Sequence, residues 1–280
     1  MTIPEETFLV ALREIRRNVR SAKGIAMLVL FLGLGGLVTL ILRAIVAGME
    51  KSILKQAKAM PEEMIRQAKV EVLTSVWDER AADYLASCPA TLLVVLKTTF
   101  VLVPLLALLV GFDSVAGEVQ NRTIRYVVGR ANRRSIVAGK AIGIFAIVAA
   151  MTFLLHATVW GFAIAQGGGF GETISWGIRL WFFSAIDAAA YVGLAALVSA
   201  SVRTPAVALF AGIAALVALA IVGAVFSRMA PPLGYLLPGA YESWLLGGDV
   251  THAGGGIVAL VAWGALCVFG ATELVRRRDV

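Results

Sequence analysis

Few residues in this chain could do chemistry, and most of them stand together. Between residues 113 and 140 the sequence sets Asp113, Gly117, Glu118, Arg122, Thr123, Arg125, Arg133, Arg134 and Lys140 among small and apolar neighbours. Basic residues alone in such a stretch would suit anionic lipid headgroups. Asp113 and Glu118 tip the balance toward a protein partner, because acids add nothing to headgroup binding. Glu118 stands four residues before Arg122, a spacing that supports an ion pair along a helix. Two further charges lie inside apolar blocks, Lys97 and Asp187. An ionised carboxylate facing lipid costs roughly 2.5–3.5 kcal/mol at mid-membrane. Asp187 is therefore expected to face protein or a water-filled path, with Lys97 its candidate partner.

Other chemistries fail on spacing. Gly139-Lys140 looks like the end of a phosphate loop, but Arg134 stands five residues before Gly139 and Ala141 follows Lys140, so the nucleotide motif is not met. Gly167-Gly168-Gly169 leads only to Phe170. His156 and His252 lack cysteine or carboxylate neighbours at metal-ligand spacing. Cys88 and Cys267 belong to different parts of the chain and are not expected to pair. No Ser-His-Asp set can be assembled. The chain is not expected to be an enzyme or to hold a cofactor, and any energy it uses must come from a partner.

The elements that position these residues follow from hydropathy. The 280 residues are 59% apolar and 15% charged, with a mean hydropathy of +0.85. An ordinary globular domain is about a quarter charged. The apolar excess falls in six blocks, at about 25–47, 90–112, 141–165, 176–200, 205–227 and 254–274. Each is long enough to cross about 30 Å of hydrocarbon at about 1.5 Å per residue. The expected fold is all-α, a polytopic membrane protein with six transmembrane helices. The net charge of +7 reports basic inner loops rather than nucleic-acid binding.

Those charges set the orientation. Arg13, Arg16, Arg17, Arg20 and Lys23 precede the first span, five arginines and Lys140 separate spans two and three, and Arg276, Arg277 and Arg278 end the chain. The alternate loops are neutral or acidic. Both termini are thus expected in the cytoplasm. Phe8, Leu12, Ile15 and Val19 recur at helical spacing, so residues 1–24 read as an amphipathic lead helix on the inner leaflet. The alternative is a solvated helix docked on protein. Residues 25–280 form the membrane domain. Within it, 48–88 read as an external helical hairpin and 228–253 as an external re-entrant segment broken by Pro231, Pro232, Pro238 and Gly239. Small residues at Ala185, Ala189 and Gly193 suit close helix packing.

The 113–140 stretch resembles the cytoplasmic signature of ABC-2 type permeases, the membrane subunits of a class of ABC exporters. In that pattern an Asp ends the second span, and a Gly-Glu pair, a Gly-Thr, an apolar run, a Pro-x-x-Arg and a Gly-Lys follow. Asp113, Gly117, Glu118, Thr123, Arg133 or Arg134, Gly139 and Lys140 match it. Arg122 replaces the usual Gly, and neither Arg130 nor Ala131 is proline. The resemblance implies a type V exporter-like permease fold in a bacterial cytoplasmic membrane, with the 113–140 loop as the coupling element. It implies cytoplasmic ABC ATPase subunits that bind ATP and Mg, and a second permease copy or a sister permease. Glu118 would contact or orient the ATPase groove, and Arg133 or Arg134 would anchor the loop at the membrane surface or the partner. The leading function is a permease subunit of an ATP-driven exporter. The alternative is a non-transporting assembly that passes mechanical force to an external partner through the 48–88 hairpin. A channel or secondary transporter is disfavoured, because intramembrane charges are few and no inverted repeat is visible.

Overall fold

The computed structural model describes residues 2–57, 62–123, 132–229 and 231–277. The described chain is helical throughout. Helix α1 (Ile3–Arg20) precedes α2 (Ala22–Ala57), and α3 (Glu62–Thr74) and α4 (Glu79–Leu85) follow. Then come α5 (Ala90–Gly111), the short α6 (Ala116–Gln120), α7 (Arg133–Ala165) and α8 (Phe170–Ser201). Helix α9 (Pro205–Met229), two short helices α10 (Pro231–Gly234) and α11 (Glu242–Leu245) around a 3-10 turn, and α12 (Val250–Arg277) complete the order. Six of these helices are long and apolar enough to span a membrane: α2, α5, α7, α8, α9 and α12. Hydrocarbon offers no partner for backbone N–H and C=O groups, so only structures that satisfy them internally can cross. The six expected blocks are these six helices.

Helix α2 is longer than its apolar block. Its 36 residues reach roughly 54 Å at the standard rise, so its second half projects beyond the bilayer. The 48–88 stretch expected as a hairpin is thus the end of α2 followed by α3 and α4. Asp78 caps α4 by accepting from the Ala81 N–H at 2.9 Å, which satisfies one of the donors a helix start leaves free. Ala81, Ala82 and Leu85 are fully buried, and Ala81 and Leu85 share a core with Leu245, Leu246 and Leu260. The hairpin is docked on the spans and the broken 231–249 segment. A second core cluster fills the opposite half of the bundle, where α5, α7 and α8 meet.

Sidedness follows from what each end carries. Helix α1, α6 and the end of α12 lie at one end; α4 and α11 lie at the other. Reading the arginine-rich end as cytoplasmic gives a direct test. In a Cys88→Ser, Cys267→Ser background, an impermeant thiol reagent added to intact cells should label Arg66→Cys and spare Arg134→Cys, since both positions are exposed. The reverse pattern would invert the topology.

The lead helix does more than lie on a leaflet. Its buried stripe is Ala11, Glu14 and Asn18, a different face from the apolar one, and this stripe packs on α7. Phe8 and Val19 stay 66% and 62% exposed, and Ile15 touches the core. The close approach depends on two glycines of α7. A Cβ at Gly139 would lie 2.6 Å from the Thr7 carbonyl oxygen, and one at Gly143 would lie 2.9 Å from that of Ala11. One face of α1 is thus a protein contact, and the face bearing Phe8 and Val19 is left for the membrane.

Candidate coupling site

The site forms where α1, the α5–α6 junction and the first turns of α7 converge. Lys140 is its centre. The ammonium is 4% exposed and donates to the Ser114 carbonyl at 2.6 Å and to Glu118 Oε1 at 2.8 Å. Glu14 Oε2 lies 3.6 Å away on the other side. Glu14 is also buried, and its Oε1 accepts from Arg17 at 2.7 Å and from the Asn18 amide at 3.1 Å. A second ion pair sits beside the first. Lys23 donates to Asp113 Oδ1 at 2.7 Å, and its ammonium stands 4.2 Å from the centre of the Phe112 ring. The two pairs tie the lead helix and the start of α2 to the loop that leaves span two.

The loop is also fixed from α8. The Ser199 hydroxyl donates to the Phe112 carbonyl at 2.8 Å and accepts from the N–H groups of Val115 and Ala116 at 3.0 and 3.1 Å. At the far side of the loop, Arg133 donates to the carbonyls of Val275 and Arg276. Those carbonyls close α12 and have no partner within the helix. Asn132 caps α7 by accepting from Arg134 N–H, and its own N–H donates to Glu6 of α1. A span end, a span start, the lead helix and the chain's last turn are thus held as one body.

The residues matched in the sequence have distinct fates. Asp113, Glu118 and Lys140 come together in the network, with Glu118 paired across 22 positions. The expected ion pair from Glu118 to Arg122 is absent among the described residues, because Arg122 lies past the end of α6. Glu118 also turns inward and is 12% exposed, so it presents little of its carboxylate to a partner groove. A Cβ at Gly117 would lie 3.9 Å from Pro205 of α9, and the Thr123 hydroxyl donates to the Glu118 carbonyl. Arg133 anchors the tail of α12 rather than the membrane surface, and Arg134 is exposed. Arg125 lies outside the described residues.

Arg122 explains the glycine usual at its place. Its φ is +56°, the left-handed conformation that closes many helices and that glycine adopts without a Cβ penalty. Arg122→Gly relieves a left-handed Cβ penalty of about 1–2 kcal/mol, offset in part by glycine's greater chain entropy, and should raise stability, read as a later heat-induced loss of monodisperse protein. Arg122→Val should lower it.

Sequence reasoning missed Glu14, Ser199 and the role of Lys23. Only Glu14 left a signal: it is the one acid between Arg13 and Lys23. The intramembrane pair also differs from expectation. Asp187 is fully buried, as expected, but among the described residues neither of its oxygens has a hydrogen-bond partner. Lys97 does not reach it; its ammonium lies 5.5 Å from the centre of the Trp77 ring. Tyr191, one turn after Asp187, instead lines a cavity together with Glu242 of α11.

Six spans, with a buried ion cluster where the second span ends and the third begins and a lead helix packed against it, define a multi-pass membrane protein. The chain matches the model of the ABC-2 family transporter protein over residues 8–241, and it belongs to that family. It is a permease subunit of an ABC transporter, a class whose members work with ABC ATPases. No curated protein matches the chain.

Proposed function

We propose that this permease is the membrane subunit of an ATP-driven exporter in a bacterial cytoplasmic membrane. It moves its substrate outward with a second permease and two cytoplasmic ATPase subunits, which bind ATP and Mg. The 113–140 loop is the contact with the ATPase. The observation that supports this most is the buried Lys140–Glu118–Glu14 cluster. A loop that merely neutralised headgroups would need no such internal bracing. A loop that receives a push must transmit it, and here it is joined to α1, α7, α8 and α12 at once. Glu118 and Lys140 then act as positioning residues, while the exposed Arg122 and Arg134 meet the partner.

The test uses the permease with its cognate ATPase. Arg122→Glu with Arg134→Glu should leave insertion and thermal stability intact and cut recovery of the complex about tenfold at low salt, as reversal of exposed interface charges does. Unchanged recovery would move the contact elsewhere, most simply to α1. Flux in vesicles separates the exporter from the force-transmitting alternative.

A further inference from the structure

A cavity of about 620 Å³ opens between α5, α8, α9 and the broken segment that ends in α11. Its size falls within the range of about 300–1,000 Å³ typical of small-molecule sites. The walls are apolar, built from residues such as Val101, Leu105, Leu216 and Leu237; Tyr191 and Glu242 supply the only polar side chains. Glu242 makes no ion pair among the described residues. Behind it lies Asp187, one helical turn before Tyr191, fully buried and with neither oxygen partnered among the described residues. Lys97 is the cation whose field reaches Glu242, but its ammonium is turned to the Trp77 ring. Among the described residues, two carboxylates therefore stand at this apolar site without a countercharge in contact.

An unpaired carboxylate in apolar surroundings is costly unless a cation or donor meets it. We propose that the cavity binds a lipophilic cation, an apolar ring-bearing body with a single diffuse positive charge, with Glu242 as the countercharge. Asp187 adds negative potential from behind. Burial pushes the Glu242 carboxyl up to about 7, with Lys97 pulling it down, and a bound cation would favour its ionised form. An anion would meet two carboxylates, and a neutral amphiphile would leave Glu242 unpaired. A bare metal ion is a poor occupant, since no group of three metal-ligating side chains exists among the described residues. That this ligand is also cargo rests on the exporter reading; that it binds does not.

The test therefore needs no ATPase. Purified permease in zwitterionic nanodiscs is equilibrated with radiolabelled tetraphenylphosphonium and, separately, with tetraphenylborate, which has the same shape and the opposite charge. Saturable binding of the cation alone is expected. Glu242→Gln should weaken it at least tenfold, and Ala220→Trp, which fills the cavity from the exposed side of α9 without touching the carboxylates, should abolish it. Gel filtration checks that both variants are folded. Equal binding of the borate, or cation binding unchanged in both variants, would overturn the site and leave the cavity to lipid chains. Binding that stands while flux of the cation fails would count against the exporter reading and not against the site.

Discussion

Lys140→Met is expected to cost about 3–5 kcal/mol of stability, the usual penalty when one member of a buried ion cluster is removed. The loss is large because of what stays behind. Glu14 and Glu118 are 4% and 12% exposed; Glu118 would lose its cation and Glu14 would keep only the Arg17 cation. The Ser114 carbonyl would lose its 2.6 Å donor. Heat-induced loss of monodisperse permease measures this. Stability alone would not show that the cluster serves coupling, so a second variant is needed. The triple change Lys140→Met, Glu118→Leu, Glu14→Leu removes the three buried charges and leaves the part-exposed Arg17 beside Asp113, and apolar replacement of a buried ion triad is often neutral or stabilising. The triple variant should regain most of the lost stability yet fail to couple ATP turnover to flux. Full recovery of coupling would make the cluster a plain structural element.

How far this was legible in the sequence depends on the distance over which each interaction acts. Spans are local: an apolar block of about twenty residues declares itself, and all six did so. The loop residues Asp113, Glu118 and Lys140 were legible as a pattern, because the resemblance fixes their order. Their partners were not. Lys23 and Asp113 are 90 positions apart, and nothing in either neighbourhood names the other. Glu118 paired with Lys140 instead of Arg122 because α6 ends at Gln120, and a helix that short cannot carry the i,i+4 pair the spacing suggested. The lead helix's docking face went unseen for a related reason. Helical periodicity finds apolar stripes, whereas α1 docks through Ala11, Glu14 and Asn18, a small and polar stripe suited to the glycines of α7. Glu242 escaped notice because a carboxylate in an external segment reads as solvated; only the fold turns it toward Asp187.

The small-residue pattern of span four was legible as packing, but its partner was not, and here the structure gives a second large effect. Helices α8 and α12 cross at Gly193 and Gly264. A Cβ at Gly193 would lie 2.4 Å from the Gly264 carbonyl oxygen, and one at Gly264 would lie 2.5 Å from that of Ala189. Both obstacles are backbone, so no rotamer change can relieve them; the helices must separate. In lipid, helix association relies on such close packing, because apolar surface gains little by leaving acyl chains. Gly193→Leu should therefore cost at least the 1–3 kcal/mol typical of overpacking, roughly, and more where backbone is displaced. The fitting control lies in the same protein. Gly36 of α2 has nothing within 4 Å of the site a Cβ would occupy, so Gly36→Leu adds the same side chain without the clash. Thermal denaturation of the two variants should differ sharply, with Gly193→Leu losing its folded form many degrees earlier. The loss should extend to flux, since α8 also carries Ser199, which holds the loop, and Tyr191, which lines the cavity. Equal denaturation of the two leucine variants would mean that the α8–α12 crossing does not hold the bundle together.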